Sequence, residues 1–136
     1  MLEKKCPCNS GKLYTQCCKK FHCGINNASA LDLMRSRYSA YALGLNNYII
    51  SSTHPDNPFF IEDILEWKKE LDEFSHNTNF INLKILDHKY KDGENFAQVT
   101  FRATLEQNQK EISFTECSQF KKEANRWFYL DGVIQG

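Results

Sequence analysis

Apolar side chains recur with a helical period through the middle of the chain and with a period of two after it. Leu31, Met34, Tyr38, Tyr41 and Leu45 form the first helical stripe. Ser29 stands where an N-cap belongs, with Asp32 three residues on as a weak capping-box partner. Gly44 and Asn46-Asn47 predict a bend, after which Tyr48-Ile49-Ile50 resumes the helix. His54-Pro55-Asp56-Asn57-Pro58 is a cluster of helix breakers. A second helix is expected with Phe60, Ile64, Trp67, Leu71 and Phe74 on one face, and Glu66, Lys69, Glu70, Asp72 and Glu73 on the solvated one.

Beyond Ser75-His76-Asn77 the pattern alternates. Ile81, Leu83 and Ile85 form one set, and the Lys91–Asn95 segment reads as a hairpin turn. Ala97, Val99, Phe101, Ala103 and Leu105 alternate with polar residues, as in an antiparallel strand buried on one side. A turn over Glu106–Lys110 leads to Ile112, Phe114, Glu116, Ser118 and Phe120. Lys122-Glu123-Ala124-Asn125 then turns into Arg126-Trp127-Phe128-Tyr129-Leu130, with Asp131-Gly132 expected to end the strand. Helices followed by four meandering strands predict an α+β fold in which a curved sheet wraps the helices. The mouth of such a cone is a natural apolar pocket.

Composition narrows the class of protein. Of 136 residues, 41% are hydrophobic, which excludes disorder, and the formal net charge is zero, unlike a nucleic-acid binder. No apolar run approaches a membrane span, and Met1-Leu2-Glu3-Lys4-Lys5 lacks the apolar stretch of a signal peptide, so a cytoplasmic location is expected. The charge is unevenly shared. Residues 1–24 hold five lysines (Lys4, Lys5, Lys12, Lys19 and Lys20) against Glu3, a net of +4, and the remainder carries −4.

That basic head also holds five of the six cysteines: Cys6, Cys8, Cys17, Cys18 and Cys23. Outside an oxidising compartment, clustered cysteines read as metal ligands. Cys6, Cys8, Cys17 and Cys18 suit a tetrahedral structural zinc site, with Cys23 or His22 as an alternative for one ligand, His22 giving a three-sulfur, one-histidine shell. Pro7 stiffens the turn between the first pair, and Asn9-Ser10-Gly11 reverses the chain. A short helical turn at Leu13–Gln16 would return the second pair. Cys117 reads as a small apolar residue in a strand.

The run Cys6-Pro7-Cys8-Asn9-Ser10-Gly11-Lys12-Leu13-Tyr14-Thr15-Gln16-Cys17-Cys18 resembles the SEC-C zinc motif. That motif is known from the tail of a preprotein translocase, where it supports contacts with a chaperone and the ribosome. The motif usually carries Gly where this chain has Asn9, a mild departure because Asn also tolerates a left-handed turn. Further along, the segment 33–44, Thr53-His54-Pro55, Glu116-x-Ser118-x-Phe120 and the segment 127–132 together resemble the YchJ family. The resemblance implies a SEC-C motif over residues 1–24 and a cone-shaped, nuclear-transport-factor-2-like domain over 25–136. Many members carry a second SEC-C motif at the C-terminus, which these 136 residues do not contain. The family implies a fold and a metal, and no reaction.

Two body residues are candidates for chemistry. Glu116 shares a strand face with Ile112, Phe114 and Phe120, where a carboxylate is desolvated unless paired. It reads as an ion-pair partner of Arg35 or Arg37, or else as an acid–base group. His54 is expected to cap helix carbonyls or, alternatively, to act as a base oriented by Glu116 or Asp131. Tyr38, Tyr41 and Trp127 read as core or pocket wall. The reading ranked first is a non-enzymatic adaptor whose zinc knob presents lysines, Tyr14 and Phe21 to a protein partner, with a small apolar ligand in the cone. An isomerase- or hydrolase-like enzyme using Glu116 and His54 ranks second. A nucleic-acid finger ranks last, limited to weak ribosomal RNA contact, because the head is too short for a recognition helix. The outer face of a curved sheet is also where a homodimer could form.

Overall fold

The computed structural model of the chain describes residues 4–135. Four helices and five strands follow one another: α1 (Lys19–His22), α2 (Ala30–Leu43), α3 (Asn46–Ser51), α4 (Ile64–Asn77), β1 (Asn79–Tyr90), β2 (Phe96–Gln107), β3 (Lys110–Glu111), β4 (Phe114–Glu123) and β5 (Arg126–Gln135). The strands form one antiparallel sheet in the order β1-β2-β4-β5, with the short β3 on the end of β2.

Helix α2 starts as expected, with the Ser29 hydroxyl accepting from the Asp32 amide at 3.0 Å. It ends rather than bends at Gly44, whose φ of +72° and the 2.8 Å bond from Leu45 N to Ala40 O make a left-handed C-cap. Leu45 therefore lies outside the helix, and α3 is a separate element. Helix α4 begins four residues later than its apolar stripe predicts. Asp63 caps it by accepting from the Glu66 amide at 3.2 Å, and Phe60 packs from the preceding loop onto Trp67.

The sheet curves because its long strands are bulged. Register shifts on β1 between Phe80 and Asn82 and between Ile85 and Asp87 turn Ile81 and Leu86 outward, leaving them 55% and 49% exposed. Leu83 is buried and Ile85 packs against the core. A one-residue insertion flips a side chain to the other face, so alternation misplaces Ile81. On unbulged β2 the alternation holds, with Ala97, Val99, Phe101, Ala103 and Leu105 all buried. A further shift opposite Gln119–Phe120 lets β5 run through Asp131-Gly132 to Gln135, so that dipeptide is mid-strand and not a terminating turn. The β2–β3 and β4–β5 hairpins turn on Asn108-Gln109 and Ala124-Asn125, all four with positive φ as tight two-residue loops need.

The cysteine-rich head folds against this cone. Lys5 pairs with Leu13, Cys6 N donates to Lys12 O at 2.9 Å, and the loop between them reverses through Asn9 (φ +65°) and Gly11 (φ +87°). Cys6, Cys8 and Cys18 are buried in the same cluster as Leu33, Met34 and Tyr38 of α2 and the inner face of β2. Residues of the 1–24 segment and of the following segment thus share one core.

Candidate metal centre and cone cavity

The knuckle that reverses at Asn9 and the turn over Tyr14–Gln16 bring Cys6, Cys8, Cys17 and Cys18 together. Their four Sγ atoms all lie within 4.8 Å of one another. Cys8 and Cys17 are 3.6 Å apart, and Cys17 and Cys18 are 3.9 Å apart. A tetrahedral ion with metal–sulfur bonds of about 2.3 Å places its sulfurs ~3.8 Å apart. The adjacent cysteines both reach the point because the chain leaves helical geometry at Cys17 (φ −132°, ψ −105°). Three of the four are buried, and the group could hold a metal ion.

The electrostatics of the four thiols point the same way. Hydrogen bonds from Cys18 and Cys6 hold the Cys8 thiol far below its ordinary range. The same contacts, with burial, push Cys18 far up, and burial raises Cys17. Four thiolates cannot share this volume without a cation, because each charge raises the cost of the next. A divalent ion removes that conflict and releases the remaining protons.

The body supplies a second layer of donors. Ser39 of α2 stands 3.3 Å from Cys6 Sγ and donates to Cys18 Sγ at 3.4 Å. Arg35 Nη1 donates to Cys8 O at 3.1 Å and reaches Cys8 Sγ at 3.9 Å. Ser10 approaches Cys17 Sγ at 3.2 Å. Such contacts orient ligands and offset a negatively charged centre. The sequence reading missed Arg35 and Ser39 in this role. The signal was the polar run Arg35-Ser36-Arg37 and Ser39 within the helix, where a purely apolar contact would have called for aliphatic residues.

The alternative ligands lie elsewhere. Cys23 is exposed and outside the sulfur cluster. His22 donates from Nε2 to Ser36 O at 2.8 Å and accepts at Nδ1 from the Tyr14 hydroxyl at 2.7 Å. Burial lowers its pKa, in keeping with a neutral ring used as a strut between head and α2. Phe21, expected on the knob's surface, is buried at 7% exposure because α1 packs it inward. The five lysines of the head are all exposed.

The cone encloses a cavity of about 370 Å³ between α2, α4 and the sheet. Tyr38, Tyr41 and Glu116 line it, whereas Trp127 is a core residue packed on Tyr90. Burial pushes the Tyr38 hydroxyl up to about 12. Glu116 makes no ion pair among the described residues. Its Oε2 accepts from Ser118 Oγ at 2.5 Å and from the Tyr129 hydroxyl at 3.1 Å. The expected guanidinium partners are engaged elsewhere, Arg35 at Cys8 and Arg37 at the end of α3. Burial, then the Glu116 charge, raises the Tyr129 pKa.

His54 does not line this cavity and does not meet Glu116. It accepts at Nδ1 from the Asp56 amide at 3.0 Å and donates from Nε2 to Glu123 at 2.9 Å, clamping the loop after α3 to β4. Lys121 and His54 hold Glu123 below the usual carboxylate range. Asp131, the other proposed orienting group, accepts from its own neighbour Gly132 N at 2.8 Å. Gly132 faces Ser118 across the β4–β5 ladder, and a Cβ there would collide with the Glu116 carboxyl and the Tyr129 hydroxyl. Gly132→Ala is therefore expected to displace Glu116 and to cost ~1–3 kcal/mol in chemical denaturation, while leaving bound metal unchanged.

These features match known proteins. The family model for the middle, nuclear-transport-factor-2-like domain of YchJ matches residues 29–132. The chain belongs to the YchJ family. Among YchJ-family relatives, a UPF0225 protein of Bordetella pertussis is 33% identical over 133 residues, spanning 96% of this chain and 92% of the relative. One from Vibrio vulnificus is 34% identical over 134 residues, spanning 98% and 77%. The solution structure of a SEC-C motif containing protein from Rhodopseudomonas palustris aligns with a TM-score of 0.81 at 31% identity, covering 96% of this chain and 98% of that one. A crystal structure of a SEC-C motif containing protein from Psychrobacter arcticus aligns with a TM-score of 0.74 at 28% identity, covering 96% and 82%. The α+β cone and the SEC-C-type cysteine head expected from the sequence are those of the YchJ family. Among the described residues, no helix is long and apolar enough to cross a membrane.

Proposed function

We propose that this protein is a non-enzymatic interaction module of the cytoplasm whose head is built around one structural zinc ion held by Cys6, Cys8, Cys17 and Cys18. The observation that carries the reading is the mutual approach of four sulfurs, three of them buried. A four-sulfur shell completes a tetrahedral ion and leaves no position for water or substrate, which favours a structural over a catalytic role. His54, bound to Glu123, stands outside the cavity that Glu116 lines, which favours this reading over an enzymatic one that pairs the two.

The partner surface in this reading is the set of exposed lysines of the head, Lys4, Lys5, Lys12, Lys19 and Lys20. The zinc–thiolate core carries a formal charge of −2 and the lysines outweigh it, so the knob presents a positive face. Such a face fits an acidic partner surface, of the chaperone or ribosome type that the motif contacts in its translocase carrier.

Two measurements test the proposal. Elemental analysis of purified protein is expected to give about one zinc per chain, and iron in its place would overturn the ion assignment. Changing Lys12, Lys19 and Lys20 to Glu is expected to abolish capture of the wild-type partner from lysate, with metal content unchanged. Equal capture by both forms would place the partner surface elsewhere.

A further inference from the structure

The wall of the cone cavity carries a buried cation that makes no direct ion pair among the described residues. Arg37 is 7% exposed and lines the cavity wall. Its Nη1 donates to Ile49 O at 3.0 Å, Ser52 Oγ at 2.7 Å and Thr53 Oγ1 at 3.0 Å, which caps the C-terminal end of α3. Its guanidinium stacks 4.5 Å from the centre of the Tyr129 ring. Among the described residues it makes no ion pair, and the hydrogen bonds it makes run through Nη1, leaving Nε and Nη2 for a further partner. Buried charges are usually paired, so a largely buried guanidinium with donors to spare on a cavity wall suits a polar ligand group.

Glu116 provides the complement. Ser118 and Tyr129 both donate to its Oε2, and no described donor reaches Oε1. Arg37 stacks on the Tyr129 ring, and Glu116 binds the hydroxyl of the same residue. One tyrosine is thus flanked by a guanidinium with donors to spare and a carboxylate with an oxygen to spare. The rest of the wall is mostly apolar and aromatic, including Trp67, Phe74, Phe80, Phe101 and Phe120, with a second carboxylate, the solvent-exposed Glu70, also on it. The cavity volume lies within the range of small-molecule sites.

We propose that this cavity binds a small, neutral, mostly aromatic molecule with one amide-type polar end, whose carbonyl accepts from Arg37 and whose N–H donates to Glu116. Neutrality follows because the charges of Arg37 and Glu116 already cancel while that of the exposed Glu70 is solvated, and an ionic ligand would bring an unpaired charge into an apolar space. A group that both accepts and donates satisfies both residues at once, with each hydrogen bond spanning ~2.9 Å. The proposal does not depend on the metal centre.

The test uses the full metal-loaded chain with benzamide, toluene and benzoate as probes, read by calorimetry and ligand-observed NMR. Benzamide is expected to bind saturably and about tenfold or more tighter than toluene or benzoate, the loss expected when hydrogen bonds to charged groups are removed. Glu116→Ala is expected to erase the preference for benzamide over toluene, while its melting transition confirms the fold. Ala103→Phe, which fills the cavity from the β2 floor, is expected to abolish binding of all three with bound metal unchanged. Absence of saturable benzamide binding, equal affinity for toluene, or undiminished binding by Ala103→Phe would each overturn the proposal.

Discussion

Cys8→Ser is expected to lower bound metal from about one ion per chain to a small residue and to destabilise the protein by more than about 4 kcal/mol, an effect of the size that loss of a structural metal produces. The reason lies in where the sulfurs sit. Cys6, Cys8 and Cys18 are packed in the same cluster as Leu33, Met34, Tyr38 and the inner face of β2. Losing the ion leaves three thiols in a space where charge is costly, next to the helix at the centre of the fold. The disturbance should therefore reach the cone. Denaturant unfolding of wild type, Cys8→Ser and chelator-treated wild type checks this. Unchanged stability of the cone after metal loss would mean that the head is a detachable appendage.

Arg35→Ala is expected to weaken metal affinity by roughly ten- to a hundred-fold while leaving all four sulfurs in place, the usual range for removing a group that supports a ligand from behind. Arg35 Nη1 binds Cys8 O at 3.1 Å and stands 3.9 Å from Cys8 Sγ. It thus fixes the loop that carries Cys8 and offsets part of the centre's negative charge. Arg35→Lys keeps the charge but not the planar fork, and is expected to recover only part of the affinity. Competition titration with a chromogenic zinc chelator measures both variants. Wild-type affinity in Arg35→Ala would show that the head alone determines metal binding.

Both expectations concern one helix whose part in the site was poorly legible beforehand. The apolar stripe on α2 placed Met34 and Tyr38 inward, yet Ser36, Arg37 and Ser39 are buried as well. A helix packed on several sides at once does not segregate polar from apolar positions, so periodicity reports only one of its faces. Ser36 meets the Tyr48 hydroxyl at 2.6 Å, Arg37 caps α3, and Ser39 meets two cysteines. Glu116 shows the same limit. Its place on an inward strand face could be read from alternation, but its partners could not. They are Ser118, two residues along the same strand, and Tyr129 from the neighbouring β5, while both arginines are held elsewhere.

Local chemistry was enough to mark the cysteine knuckle, the Ser29 cap, the β2 alternation and the hairpin turns, because each depends on residues a few positions apart. Spacing grouped Cys6, Cys8, Cys17 and Cys18, and the folded chain puts their sulfurs within 4.8 Å. The bulges at Ile81 and Leu86, the burial of Phe21, the clamp between His54 and Glu123, and the cavity with Arg37 and Glu116 on its wall arise only when distant segments meet. Their energies come from which groups are left to pair once the sheet has curved, and no window of neighbouring residues contains that information.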